Sequence, residues 1–86
     1  MVYLDMFEEV RIILVDILQI HNRAESLDRS TPLLGNIPEF DSMAVVTIIT
    51  ALEDQFGFFV EDDEISAETF ETLGSLVAFV ESKIGT

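Results

Sequence analysis

The segment from Ile37 to Val46 changes from an irregular, proline-containing stretch into a strongly apolar helix, and this change limits how the chain can fold. Pro38 disfavours helical geometry at Ile37, and Asp41 is a good N-cap because its carboxylate can accept a hydrogen bond from a free first-turn amide. The pattern predicts a helix that begins at Ser42. It places the Ser42 hydroxyl in solvent beside free amides and the positive end of the helix dipole, where an attached phosphate would be stabilised.

This helix is predicted to run from Ser42 to about Phe56 and to end at Gly57. Phe40 and Val45 occupy the two positions of a hydrophobic staple at its start. One face has the spacing of a core face and consists of Val45, Ile48, Ile49, Leu52 and Phe56. The other face consists of Met43, Val46, Thr47, Thr50 and Asp54. Its two apolar members allow two interpretations, a buried contact with the preceding loop or a surface that binds partners.

A first helix is predicted from about Tyr3 to Ile20, because apolar residues recur there at three- and four-residue steps, and His21-Asn22 marks its end. Residues 21–41 then form a long connection, with turn signals at Ser30-Thr31-Pro32, Gly35-Asn36 and Ile37-Pro38. Five apolar residues are expected to hold this connection on the core, namely Leu27, Leu33, Leu34, Ile37 and Phe40. A connection of this length is either functional or a plain crossover between helices, and the sequence leaves both open.

After Gly57, the residues Phe58-Phe59-Val60 are expected to return the chain to the core before the acidic run Glu61-Asp62-Asp63-Glu64. Ser66 is the expected cap of a short helix of a turn or two from Ala67 to Phe70. Thr72 is expected to cap a last helix with an apolar register of Leu73, Leu76, Val77, Val80 and Ile84. These elements predict one all-α domain over residues 1–86, a small four-helix bundle of three longer helices and one short helix with a long first loop.

The formal net charge of −13 disfavours binding to nucleic acid or to anionic membrane surfaces, and it favours basic protein partners. No run reaches the roughly 18 apolar residues of a membrane span, and no basic leader precedes the first apolar stretch as in a secretory signal. We therefore expect a cytoplasmic monomer that does not insert into membranes. The chain contains no cysteine, so it can supply neither thiol chemistry nor a cysteine zinc site of its own.

Catalytic and metal-binding interpretations find little support. A serine hydrolase built on Ser42 needs a base, and His21 is the single histidine, without the spacing of a catalytic site. The glycines are scattered and form no phosphate-binding loop. The acidic run Glu61–Glu64 lacks the alternating ligands and the central glycine of a calcium-binding EF-hand. We interpret it as a solvated turn with weak affinity for divalent ions and predict no metal site.

The motif Asp41-Ser42-Met43 opens an apolar helix that ends in Leu52-Glu53-Asp54-Gln55-Phe56-Gly57, and the acidic chain has a long first loop and a threonine-capped last helix. In these features nearly the whole chain resembles an acyl carrier protein. By that resemblance Ser42 bears 4′-phosphopantetheine through a phosphodiester, with Asp41 and Met43 beside it. The chain is then a carrier of acyl thioesters for fatty-acid, polyketide or related biosynthesis, and not an enzyme.

The resemblance also implies partners, namely a phosphopantetheinyl transferase and acyl-transferring or chain-modifying enzymes with basic docking patches. The residues expected to meet them are Asp41, Met43, Val46, Thr47, Glu53 and Asp54. Ala44 and Thr47 stand where the fatty-acid type usually has acidic residues, which favours a carrier dedicated to a specialised pathway. The alternative is an unmodified acidic helical module that binds a basic protein through the same face.

Overall fold

The computed structural model describes residues 5–33, 37 and 40–85, with only the backbone of Asp62. The predictions that concern Tyr3, Leu34, Gly35-Asn36 and Pro38 lie outside the described residues. Within this range the chain forms three α-helices, α1 (Met6–Leu18), α2 (Ser42–Phe56) and α3 (Leu73–Ile84), with a short 3₁₀ helix after each of the first two. The all-α prediction is therefore confirmed.

Helix α1 spans Met6–Leu18, so it starts after Asp5 and ends two residues before the predicted end at Ile20. It begins at Met6 because Asp5 is its N-cap and accepts a hydrogen bond from the Glu8 amide at 2.9 Å. It ends at Leu18 because Gln19 takes a left-handed conformation with φ 56°. The buried residues of α1 are Val10, Leu14, Val15 and Leu18.

A 3₁₀ helix over His21–Ser26, which the turn signals did not predict, follows α1 directly. Short-range bonds build it, including the Arg23 amide donating to the Ile20 carbonyl at 2.8 Å. The Arg11 guanidinium of α1 donates to the Ala24 carbonyl at 2.8 Å and anchors the 3₁₀ helix to α1. Regular structure thus occupies the first part of the long connection.

In the rest of the long connection, the described apolar residues lie in the core, as predicted. Its apolar residues Leu27, Leu33, Ile37 and Phe40 are buried. Pro32 forms an isolated bridge with Thr72, where the Leu33 amide donates to the Glu71 carbonyl and the Leu73 amide to the Thr31 carbonyl, at 3.1 and 2.9 Å. These bonds fix the connection to the start of α3.

Helix α2 spans Ser42–Phe56, as predicted. Gly57 ends it in the left-handed conformation with φ 73°, and its amide donates to the Glu53 carbonyl at 2.8 Å. The core face is confirmed: Ile48, Ile49 and Leu52 are buried and Val45 and Phe56 pack against the core.

The segment between α2 and α3 differs from its prediction at Phe59. Val60 is buried and Phe58 packs against the core, but Phe59 is 70% exposed. The acidic run contains a 3₁₀ helix over Asp62–Glu64. The predicted short helix from Ala67 to Phe70 is a series of turns, in which hydrogen bonds span three residues and no α-helical ladder forms.

Helix α3 spans Leu73–Ile84 and completes the bundle. Thr72 is its N-cap, as predicted, and forms a capping box with Ser75 in which each side chain binds the backbone amide of the other residue at 3.0 Å. Helix α1 contacts both α2 and α3, so the core lies among the three helices. In the described part of the chain, no helix has the length and apolar character needed to cross a bilayer.

Candidate functional site

Ser42 is the first residue of α2, and its side chain is exposed. Asp41, immediately before it, has an extended backbone, and its carboxylate accepts a hydrogen bond from the Ala44 amide at 2.9 Å. The Val45 amide donates to the Asp41 carbonyl at 3.0 Å and begins the helical ladder. The predicted role of Asp41 as the cap of a helix that begins at Ser42 is confirmed.

The backbone around Ser42 offers unpaired donors. The amides of Ser42 and Met43 precede the first intrahelical bond, and neither donates to another group among residues 5–33, 37 and 40–85. The Ser42 hydroxyl likewise makes no hydrogen bond within these ranges. An exposed hydroxyl beside two free amides and the positive end of a helix dipole suits a phosphate ester, so the residues present fit a phosphodiester-linked group at this point.

The outer face of α2 is exposed next to this helix start. Met43 is 72% exposed and Val46 is 61% exposed, which excludes the interpretation that they are buried against the preceding loop. The exposed Thr47 and Thr50 donate their hydroxyls to the carbonyls of Met43 and Val46 at 3.0 and 2.9 Å. No charged residue lies between Asp41 and Glu53, so the middle of this face is apolar and neutral in an otherwise acidic protein.

The two carboxylates at the end of α2 differ in availability. Glu53 is half-buried, and its carboxylate accepts a hydrogen bond from the Val60 amide at 2.7 Å. That bond ties the end of α2 to the following segment. Asp54 is exposed and binds no other side chain in the described part of the molecule. Of the two predicted docking carboxylates at the end of α2, Asp54 is therefore the one that binds none of the described residues.

Phe59 belongs to this surface, although the sequence analysis placed it in the core. Beside α2 there is a groove of about 280 Å³, which we call the α2 groove, lined among others by Val46, Ile49, Phe59, Val60 and Ile65. Phe59 stands exposed at its edge. A signal was present: successive side chains of an extended segment point in opposite directions, so Phe58, Phe59 and Val60 cannot all face the core.

The structure does not bring His21 and Ser42 together as a catalytic pair. The His21 Nε2 atom lies 3.6 Å from a carboxylate oxygen of Asp16 on α1, whereas the Ser42 hydroxyl has no partner in the described residues. The same residues contain no group of three His, Asp or Glu side chains placed to hold a metal ion. In the acidic run, Glu64 is paired with Lys83 at 2.7 Å.

Comparison with known proteins agrees with this geometry. The family model described as a phosphopantetheine attachment site matches residues 8–80. The chain is 28% identical over 81 residues to an acyl carrier protein of Lactobacillus acidophilus, covering 94% of this chain and 95% of that protein. It is 30% identical over 80 residues to an acyl carrier protein of Petrotoga mobilis, covering 93% and 88%.

A solved structure is also similar. The solution NMR structure of a holo acyl carrier protein from Nitrosomonas europaea superposes with a TM-score of 0.86 at 59% sequence identity, over 96% of this chain and all of that one. This similarity supports the carrier and not the alternative of an unmodified interaction module. The chain therefore belongs to the phosphopantetheine attachment family and is an acyl carrier protein, not an enzyme, with covalently attached 4′-phosphopantetheine as its prosthetic group.

Proposed function

We propose that Ser42 is the residue that bears the 4′-phosphopantetheine arm. The observation that carries this assignment is the exposed Ser42 hydroxyl at the first position of α2, free of hydrogen bonds to the described residues. When bound, the arm supplies the thiol on which acyl groups are held as thioesters, and the chain itself contains no cysteine.

The residues around Ser42 hold the arm's point of attachment in a fixed place. Asp41 caps α2 and keeps its first turn ordered through the bond to the Ala44 amide. The free amides of Ser42 and Met43 are available to a phosphate oxygen, and the helix dipole favours its negative charge. The attachment point is thus rigid while the arm beyond the phosphate remains in solvent.

We further propose that partner enzymes bind the outer face of α2. Met43, Val46 and Phe59 supply exposed apolar area beside Ser42 and the α2 groove. Thr47 adds a polar contact on the same face, and Asp54 provides the free carboxylate for a basic patch of the partner. Glu53 remains a weaker candidate, because its carboxylate already binds the Val60 amide.

The uncharged residues near Ser42 bear on which enzymes the carrier serves. Ala44 and Thr47 are uncharged, so an enzyme that selects its carrier by carboxylates near the serine would find few contacts here. We therefore propose a specialised cytoplasmic carrier, monomeric in solution, that serves fatty-acid, polyketide or related biosynthesis. Its enzymes would bind α2 through an apolar centre with basic residues toward Asp54.

The attachment site is tested by mass spectrometry. The apo protein is incubated with coenzyme A and a broad-specificity phosphopantetheinyl transferase, and we expect the wild type to gain one phosphopantetheinyl group. Ser42→Ala should gain nothing. Ser82→Ala is a matched control, because Ser82 is an exposed helical serine far along the chain on α3. Equal gain by Ser42→Ala, or no gain by the wild type, rejects the assignment.

The docking face is tested with the same reaction. Val46→Asp should raise the KM for transfer about tenfold with little change in kcat, because it places a charge in the apolar centre of the face. Ala78→Asp adds the same charge at an exposed position on α3 and should leave KM unchanged. If the two variants change the KM by the same factor, the transferase does not bind the outer face of α2.

A further inference from the structure

A second apolar groove lies along α1, away from Ser42. It consists of two adjoining cavities of about 290 and 180 Å³ that share Ile12 and Ile13 as lining residues, and we call it the α1 groove. The larger cavity reaches His21 on the 3₁₀ helix, and the smaller one reaches Gln55 at the end of α2. One groove thus crosses three elements of the fold.

The α1 groove exposes apolar surface without a role in the core. Ile12 is 50% exposed, while Ile13 packs partly against the core and Val15 is buried below it. A half-exposed isoleucine above an apolar floor is an anchor point for a complementary apolar side chain, because covering it removes apolar area from water.

The charges at the edges of the groove indicate what kind of partner fits. Glu9 lines one cavity and Asp16 the other. Arg11 also lines the groove, but its guanidinium is already bound to the Glu8 carboxylate at 2.6 Å and to the Ala24 carbonyl at 2.8 Å. The His21 Nε2 atom lies 3.6 Å from Asp16, but both side chains remain exposed, so with Arg11 engaged the groove presents carboxylates at its edge, which favours a basic partner. A second copy of this chain, with a net charge of −13, would be repelled.

The position of the α1 groove separates it from the surface that serves Ser42. Gln55 lies 13 residues after Ser42 along α2, about 20 Å at the helical rise. Around the helix axis, at 3.6 residues per turn, Gln55 is about 180° from Val46 and about 120° from Ile49, two residues that line the α2 groove. A protein bound in the α1 groove would leave the outer face of α2 and Ser42 open.

We propose that the α1 groove is a second protein-docking site, which binds a partner segment with an apolar side chain flanked by lysine or arginine. The apolar side chain covers Ile12, and the basic groups meet Glu9 and Asp16. Because Gln55 and the α2 groove lie on different sides of α2, a protein in the α1 groove leaves Ser42 accessible, and the carrier can remain attached to it while another enzyme acts on its arm.

The test uses the holo protein and a synthetic amphipathic helical peptide with leucine on one face and lysine on the other. Binding is measured by fluorescence anisotropy, and the contact surface is mapped by backbone NMR shifts. Ile12→Lys removes the apolar anchor and repels the cationic peptide. The new ammonium can pair with Glu8 and Asp16, four residues before and after it on α1, so the helix should tolerate the change. Ala78→Lys adds the same charge at an exposed position of α3, outside both docking surfaces, and is the matched control.

We expect Ile12→Lys to weaken peptide binding at least about tenfold and Ala78→Lys less than about twofold, with NMR shifts centred on Ile12, Ile13, His21 and Gln55. Ile12→Gln removes the apolar anchor without adding a charge, so it should weaken peptide binding less than Ile12→Lys does. It replaces Ile12→Lys in the test if that variant does not fold. The proposal is overturned if the two lysine variants lose equal peptide affinity, or if neither change of Ile12 weakens binding. NMR shifts centred on the outer face of α2 also overturn it. Self-association of the wild type that Ile12→Lys abolishes would assign the groove to a second copy and also overturn it.

Discussion

The Asp41 carboxylate accepts a hydrogen bond from the Ala44 amide at 2.9 Å, and this bond closes the first turn of α2 around Ser42. Asp41→Ala removes it and should lower the free energy of unfolding by about 1 kcal/mol. Fraying of the first turn should also slow the transfer of phosphopantetheine to Ser42. Urea unfolding and the initial rate of mass gain measure the two effects.

Asp41→Asn separates the cap from the charge. Asparagine caps helices about as well as aspartate, so this variant should keep most of the stability that Asp41→Ala loses. If its loading rate also stays near that of the wild type, the cap accounts for the effect. Loading as slow as in Asp41→Ala, at wild-type stability, would show that the carboxylate acts on the transferase directly.

The close contact between Gly74 and Arg29 leads to a second prediction. The Gly74 amide donates to the Arg29 carbonyl at 2.8 Å, and a Cβ added at Gly74 would lie 2.7 Å from that same oxygen. Replacing glycine by alanine usually favours a helix, but here the backbone would have to move. Gly74→Ala should therefore lower the free energy of unfolding by about 1–3 kcal/mol.

Ala78→Gly is the reference for this prediction. Ala78 is exposed on the same helix, and its replacement should cost about 0.5–1 kcal/mol by propensity alone. Denaturant unfolding compares the two variants. A stabilised Gly74→Ala would mean that the approach of the long connection to α3 is not tight in solution.

The helix ends that were predicted correctly are those set by a strong cap residue in the same turn. Both ends of α2 were predicted because Asp41 and Gly57 are strong cap residues whose effects are confined to one turn. The end of α1 was missed because Gln19 adopts a left-handed conformation without being glycine. The 3₁₀ helix over His21–Ser26 was also missed, because the Arg11 side chain on α1 helps to hold it. A local sequence pattern does not show such a contact between two elements.

The candidate site was predicted in part for the same reason. The exposed position of Ser42 at the start of α2 follows from the cap, whereas the sequence left the exposure of Met43 open, because its pattern also fits burial against the preceding loop. The Glu53 carboxylate accepts a hydrogen bond from the Val60 amide, seven residues later. This bond was not predicted, because the sequence does not specify the path of the turn between the two residues. The exposure of Phe59 depends on the same turn, because placing Val60 in the core turns its neighbour outward.

Gln19 gives a third prediction, because all three α-helices end in a left-handed residue. Two of these residues are glycines, Gly57 with φ 73° and Gly85 with φ 78°, but α1 ends at Gln19 with φ 56°. A residue with a Cβ is strained in this conformation. Gln19→Gly should raise the free energy of unfolding by about 0.5–1 kcal/mol.

Gln19→Ala distinguishes relief of backbone strain from loss of the glutamine side chain. Alanine retains a Cβ, so this variant should stay near the wild type in thermal and urea unfolding. Equal stabilisation by both replacements would indicate that the exposed glutamine side chain, and not the backbone, is unfavourable.

The ion pair between Glu64 and Lys83 predicts a dependence of stability on pH. The Glu61 amide donates to the Glu64 carboxylate at 2.9 Å, and Lys83 donates to both carboxylate oxygens at 2.9 and 2.7 Å. The bond from the Glu61 amide, followed by the contact with Lys83, lowers the pKa of Glu64 below its ordinary value of 4.5. A carboxyl group with a lowered pKa in the folded state stabilises the protein above its ordinary pKa and loses this effect as the pH falls through the folded-state value.

Glu64→Gln should therefore melt below the wild type at neutral pH, and the difference should narrow as the pH falls below 4.5. Melting temperatures of both proteins across this range measure the effect. Asp63→Asn is the neighbouring control, because it removes one negative charge from the same acidic run and leaves the bonds of Glu64 to Lys83 and to the Glu61 amide in place. A constant difference between wild type and Glu64→Gln at every pH would show that the amide side chain alters packing, and that the charge of Glu64 contributes nothing.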